Sequence, residues 1–269
     1  MSREKSYNTH NTREILDVNF IMSGHSKWST IKRQKGANDA KRGQLFTKLS
    51  KAITIAVREG GGVADAESNF RLRLAVEAAR SANMPKENIE RAIQRSSDKQ
   101  AKSLEEAIYE GFGPGGFSVI VEAFTDNKQR TVAEVKNIFD KNGGNMGNQG
   151  SVQYQFEKKG MITVVKNGKT LDDVFLIAAD NQAEDVEDAE EEIVVYTKPE
   201  DLAKVRTGLV KEGLEIKGAE FTYKPIVFSS IVDKLAVEKA LSFLEKLESL
   251  DDVQKVYANF DIPDELIES

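Results

Sequence analysis

The chain has 269 residues, 38 Lys and Arg against 44 Asp and Glu, a net charge of -6 and no cysteine. Without cysteine there are no disulfides, zinc–thiolate sites, iron–sulfur clusters or thiol nucleophiles, which fits a reducing compartment. With 39% hydrophobic and 30% charged residues the composition is that of a globular protein, and the longest apolar run, VFLIAA at 174–179, falls far short of the ~18 residues a membrane helix needs. At ~100–200 residues per domain, two or three domains are expected.

Residues 1–21 lack the apolar core of a secretory signal, and Glu4, Glu14 and Asp17 speak against a mitochondrial presequence. They read as a disordered extension or an upstream start, because Met22 opens a second start, MSGHSKW. The stretch that follows, GHSKWSTIKRQKGANDAKR at 24–42, holds six Lys or Arg, one acid and the only Trp of the chain. It is the leading edge of a larger split. Residues 22–100 carry 16 bases and 8 acids, whereas 101–269 carry 19 bases and 33 acids. Such asymmetry points to a basic, nucleic-acid-facing module on an acidic body.

Up to residue 100 the pattern is helical. LFTKLSKAITIAVREGGG places Leu45, Leu49, Ile53 and Val57 four apart and ends in glycines. NFRLRLAVEAARSAN offers Ala75, Ala78 and Ala79 as a small-residue face, and MPKENIERAIQRS starts on Pro85 and repeats Ile89 and Ile93. Three helices with short breaks predict an antiparallel bundle, its polar faces carrying Arg71, Arg73, Arg80, Arg91 and Arg95.

After residue 100 the period changes. SLEEAIYE reads as helix-like, FSVIVEAFT as a buried strand, QRTVAEVKNIFDKNGG as a helix, and SVQYQFEKKG and MITVVKN as two strands. LDDVFLIAAD is a helix, EIVVYT a strand, PEDLAKVRTGLVKEG a helix, LEIKGAEFTYKP a strand, VEKALSFLEKLESL a helix and DVQKVYANF a strand. The expected fold class is α+β: an N-terminal three-helix bundle followed by two small ferredoxin-like (split βαβ) sandwich domains, one inserted in the other. The expected division is a basic bundle with its arm at 22–100, a discontinuous domain at 101–160 plus 229–269, and an acidic insert at 161–228.

Several motifs fail on context. GFGPGG at 111–116 matches G-x-G-x-x-G, but a dinucleotide site needs a strand before it and a helix after it; here the order is reversed, leaving a tight turn. NGGNMGNQGS at 142–151 reads as a flexible connection, with backbone amides that could meet phosphate as the alternative. EDVEDAEEE at 184–192 lacks the spacing and glycine of a calcium loop and reads as a solvated strand-edge loop. The histidines are His10 and His25 alone, and no activated nucleophile or metal site stands out, so neither catalysis nor a cofactor is expected.

The candidate binding residues are His25, Lys27, Trp28, Lys32, Arg33, Lys35, Lys41 and Arg42 in the arm, with Lys48, Arg71, Arg73, Arg80, Arg91 and Arg95 in the bundle. Each cation can neutralise phosphate with a salt-dependent affinity, or else form part of a solvated charged face. Trp28 either stacks on an unpaired base or anchors the arm. Between Met22 and Leu45 only Trp28 and Ile31 are strongly apolar, so the arm is expected to be mobile until it meets nucleic acid.

MSGHSKWSTIKRQKGANDAKRGQLFTKLSKAI, NFRLRLAVEAARSANMPKENIERAI, YEGFGPGGFSVIVEAFTDNKQRT and DDVQKVYANFDIP, in that order from Met22 onward, resemble the YebC/PmpR/TACO1 family. The resemblance implies a cytosolic bacterial protein or a mitochondrial eukaryotic one, with a helical bundle, two α/β domains and no enzymatic activity. It implies either a DNA-binding transcriptional regulator or a ribosome-associated translation factor that binds ribosomal or transfer RNA and aids proline-rich chains. The family's basic N-terminal segment falls here on His25, Lys27, Trp28, Lys32, Arg33, Lys35, Lys41 and Arg42. Sequence discrimination on DNA needs base-edge contacts, for which no helix-turn-helix signature is seen. The many lysines suit phosphate contact, which leans toward RNA, and a protein–protein scaffold is a third reading. The expected location is the cytoplasm.

Overall fold

The structure, a computed structural model, describes residues 39–97, 104–189 and 192–262. Helix α1 (Asp39–Glu59), α2 (Phe70–Ser81) and α3 (Lys86–Ser97) form the bundle. The four-residue spacing works as expected: Leu49, Ile53 and Val57 are buried against Leu72, Val76, Ala79, Ile89 and Ala92, with Leu45 and Ile93 partly buried at the margin. The inner face of α2 is Leu72, Val76 and Ala79, not the alanine trio, since Ala78 is exposed. Asn69 fixes the corner between α1 and α2. Its carboxamide oxygen accepts from Leu72 N at 3.1 Å as an N-cap, and its amide donates to Ala56 O at 2.9 Å and Val63 O at 3.0 Å.

The first sheet is antiparallel, ordered β3-β1-β2-β9, from β1 (Glu105–Phe112), β2 (Ser118–Thr125), β3 (Asn145–Met146) and β9 (Val253–Ala258). Helices α4 (Lys128–Lys141) and α7 (Lys234–Glu248) cover one face, where Phe139, Phe243, Leu244 and Leu247 pack on Phe117, Val119, Val121 and Val256. The second sheet, β5-β6-β4-β7, is also antiparallel. It is built from β4 (Phe156–Val165), β5 (Asp185–Ala189), β6 (Glu192–Thr197) and β7 (Ile216–Pro225), with α5 (Leu171–Asp180) and α6 (Leu202–Lys211) against it. In both sheets a strand–helix–strand crossover skips one strand: β2–α4–β3 passes over β1, and β4–α5–β5 passes over β6. This is the split βαβ arrangement. A short parallel pair, β8 (Ser229–Ser230) with β10 (Phe260–Asp261), joins the return from the second sheet to the end of the first.

Four segments depart from expectation. SLEEAIYE is not helical; it forms β1, because its residues pair along their length with β2, from Glu105 opposite Thr125 to Phe112 opposite Ser118. GFGPGG is therefore the turn of a β-hairpin, closed by Gly113 N donating to Phe117 O at 2.8 Å, with Gly115 and Gly116 at φ +94° and +88°. SVQYQFEKKG and MITVVKN are one 3₁₀ turn and one strand, β4. Gly160 does not break it: a Cβ there would meet Thr197 Oγ1 at 2.5 Å and Leu202 Cβ at 2.9 Å, so the glycine serves close packing. EDVEDAEEE contributes the edge strand β5 and the start of β6, with residues 190 and 191 outside the described set. Lysines of neighbouring strands neutralise it: Lys224 lies 2.5 Å from Asp185 and 2.7 Å from Glu187, Lys159 2.8 Å from Glu184, and Lys166 2.7 Å from Asp188.

The two sheets meet through Ile120, Val152, Phe156, Tyr223 and Tyr257, with the tyrosine rings edge to face at 5.1 Å. Helix α2 bridges bundle and second sheet, because Leu74 on its outer side is buried in the core of Ile162, Val164, Ile193, Val195 and Leu209.

Candidate nucleic-acid interface

The arm candidates His25, Lys27, Trp28, Lys32, Arg33 and Lys35 lie outside the described residues, as does the expectation that the arm is mobile. Lys41 falls in the first turn of α1. The remaining seven separate into two groups. Arg42, Arg80, Arg91 and Arg95 are exposed, and among the described residues none of them makes an ion pair. Arg91 and Arg95 stand one turn apart on α3, about 5–6 Å from one another at Cβ, while Ile89 and Ala92 are buried.

The other three are engaged inside the protein. Lys48 Nζ donates to Glu248 O. Arg71 pairs with Glu59 on α1 and lies over the Phe221 ring of β7 at 5.0 Å. Arg73 donates to Ala66 O at 3.0 Å and Glu67 O at 2.7 Å, bracing the α1–α2 loop. The sequence does not separate these groups, because all share residue type and helical position; tertiary partners distinguish them.

What holds the bundle in place is a buried carboxylate that sequence reasoning passed over. Asp252, just before β9, receives Lys51 Nζ at 2.6 Å, Arg130 at 2.6 Å, Thr131 Oγ1 at 2.7 Å and Thr125 Oγ1 at 3.1 Å. Burial pushes its pKa up, but the donors from Arg130, Lys51 and Thr131 outweigh that and hold it well below the usual carboxylate range. Lys51 also donates to Asp251 O at 2.8 Å. On the opposite side Arg206 of α6 reaches Glu77 of α2 at 3.0 Å. The bundle is thus tied to both sheets.

A second buried acid accounts for the glycine-rich loop. Glu110 on β1 accepts from Gly150 N at 2.7 Å and from Val152 N and Gln153 N at 2.9 Å each. The loop is pinned, contrary to the flexible connection expected, and those three amides are turned inward, away from any phosphate. Between the sheets, Lys255 lies 2.5 Å from Glu220 and Tyr257 donates to Glu122 at 2.9 Å. Burial raises the Glu220 pKa, Lys255 opposes it, and Glu122 adds to it. Among the described residues no group of three or more His, Cys, Asp or Glu is placed to hold a metal ion, and no helix is long and apolar enough to cross a membrane.

These features define a class: a three-part α+β protein in which two split βαβ sheets carry a docked helical bundle with solvent-facing arginines. Residues 26–99 match the TACO1/YebC N-terminal domain and residues 104–260 match the TACO1/YebC second and third domain. The chain belongs to the TACO1/YebC family. A relative from Roseiflexus castenholzii, named "Probable transcriptional regulatory protein", is 51% identical over 254 residues, spanning 92% of this chain and 98% of that one. One from Chloroflexus aggregans, with the same name, is 50% identical over 252 residues, again spanning 92% and 98%. The crystal structure of a conserved hypothetical protein from Aquifex aeolicus, 46% identical, superposes with a TM-score of 0.78 over 86% of this chain and 95% of that one.

Proposed function

We propose that this protein is a non-enzymatic, nucleic-acid-binding regulator of gene expression in the cytoplasm, working in transcription as its relatives' names describe. The observation that carries the reading is the set of exposed arginines, Arg42, Arg80, Arg91 and Arg95, that make no ion pair among the described residues, on the module that bears the basic stretch 24–42. Exposed cations are available to phosphate, and their placement on one module confines binding to that end of the molecule. The arm residues His25, Lys27, Trp28, Lys32, Arg33, Lys35 and Lys41 complete the proposed surface.

A second reading, contact with ribosomal or transfer RNA as a translation factor, is favoured by the placement of charge on α3. A DNA recognition helix reads bases with its N-terminal residues. Here those positions include Glu87 and Glu90, while Arg91 sits at mid-helix and Arg95 in the last turn. That layout suits backbone contact more than base readout.

Sedimentation of lysate through a gradient, with and without RNase, separates the readings. Transcriptional regulation predicts free protein that binds a promoter fragment at physiological salt over excess competitor DNA. RNase-sensitive migration with ribosomal particles supports the translation reading, and failure of both assays overturns nucleic-acid binding.

A further inference from the structure

The two α/β units repeat one plan, and their crossover helices differ on the outside. In the first unit, every exposed side chain of α4 larger than alanine is polar. In the second, α5 buries Val174 and Ala178 but leaves Phe175 51% and Leu176 65% exposed. Asp172, Phe175, Leu176 and Ala179 follow one another at i, i+3, i+4 and i+7, so these exposed residues line one face. The split βαβ plan does not require apolar groups there, since α4 has none. An apolar centre rimmed by polar residues is the pattern of a protein contact surface.

The rim indicates what the face takes. α5 contains no Lys or Arg, and its acids are Asp172, Asp173 and Asp180. Asp173 is committed to the helix start, where its carboxylate accepts from Thr170 N at 2.9 Å and completes a capping box. Asp172 and Asp180 are exposed, make no ion pair among the described residues, and bracket Phe175 and Leu176. They stand about 12 Å apart along the helix axis. Their charge repels nucleic acid and anionic lipid. It also disfavours a symmetric pair of copies, because a two-fold axis through this face sets Asp172 of one against Asp180 of the other.

We propose that the outer face of α5 docks a basic amphipathic segment of a partner protein. The segment lays apolar groups on Phe175 and Leu176 and turns Lys or Arg toward Asp172 and Asp180. The site lies apart from the bundle. α5 packs on β5, one edge of the second sheet, whereas α2 packs on β7, the opposite edge. A partner held by α5 therefore sits across the sheet from the bundle, and the proposal stands whatever the bundle binds.

Titrating the isotope-labelled full chain with a synthetic peptide, leucine and lysine placed at helical spacing, tests this. Saturable amide shifts centred on 171–180 are expected, and a peptide with glutamate in place of lysine is expected to bind about tenfold more weakly or not at all. Phe175→Ser with Leu176→Ser is expected to weaken binding about tenfold or more. Asp172→Lys with Asp180→Lys is expected to weaken it most at low salt. Unshifted amides of β7 show that each variant is folded. Shifts centred elsewhere, equal affinity for the glutamate peptide, binding that neither pair of substitutions weakens, or no binding overturns the proposal. So do α5 shifts that appear on raising the protein concentration alone, which report a second copy, or on adding duplex DNA or RNA.

Discussion

Lys51, in the middle of α1, places its ammonium 2.6 Å from the carboxylate of Asp252, just before β9, across 201 residues of sequence. The carboxylate is nearly inaccessible and shared with Arg130 and Thr131, so the bundle is held by the same group that closes the first sheet against α4. Removing the acid takes the shared partner from two cations, leaving Lys51 the Asp251 carbonyl and Arg130 only Asp126, whereas removing one cation leaves the acid still paired.

Asp252→Asn is expected to lower unfolding stability by about 2–3 kcal/mol, and Lys51→Met by about 1 kcal/mol. Denaturant midpoints measure both, with an unchanged slope showing that the folded state is intact. The pH dependence has a definite sign. A folded pKa held below its unfolded value stabilises above the unfolded pKa, so the difference between the parent and Asp252→Asn is full above about pH 5 and shrinks as pH falls below about 4. A gap that is constant from pH 7 to pH 2 refutes this assignment.

Glu220 has the opposite sign. Its raised pKa means the fold prefers the protonated acid, a contribution present at low pH and lost as pH rises through the folded pKa. Glu220→Gln is therefore expected to match the parent at pH 4 and to equal or exceed it at pH 7. Lys255→Met leaves the buried acid without its cation and is expected to cost about 3 kcal/mol at pH 7. Thermal unfolding at the two pH values distinguishes the variants, and a larger loss for Glu220→Gln than for Lys255→Met contradicts the account.

Glu110→Gln replaces an acceptor of three backbone N–H groups with a side chain that must turn one donor toward donors. Hydrogen exchange at Gly150, Val152 and Gln153 is expected to accelerate, with a stability loss of about 2 kcal/mol. Exchange as slow as in the parent counts against the pinned loop.

For the binding surface, the triple change Arg80→Ala, Arg91→Ala and Arg95→Ala is expected to reduce the slope of log affinity against log salt by about 2–3. Arg71→Ala is expected to leave that slope unchanged and to cost about 0.5–1 kcal/mol of stability instead. Fluorescence anisotropy over a salt series reads the first effect and denaturant unfolding the second. Equal slope losses for both variants erase the distinction between free and engaged arginines.

The helices of the bundle were legible because Leu49, Ile53 and Val57 repeat with the helical period and pack on one face. The misread segments share a different property: each is specified by a partner outside its own stretch. β1 has acidic, helix-favouring residues and becomes a strand through β2. The acids of β5 would repel one another in an isolated strand, and they pair because Lys159, Lys166 and Lys224 arrive from β4, its following turn and β7. Among the binding candidates, exposed and engaged arginines occupy similar helical positions, so Arg80 and Arg71 look alike until Glu59 and Phe221 are in place.

Helix α2, shared between two cores, has a consequence for how the protein is made. Leu72 and Val76 can be buried as soon as α1 and α3 exist, but Leu74 needs β4, β6 and α6, and Lys51 needs Asp252. At about 5–20 residues per second, synthesis leaves roughly 10–40 s between Lys51 and the residue that receives it. During that interval the nascent bundle carries an uncovered leucine and its basic residues with no acidic body beside it. Its charge is then least opposed, while it is still attached to the ribosome.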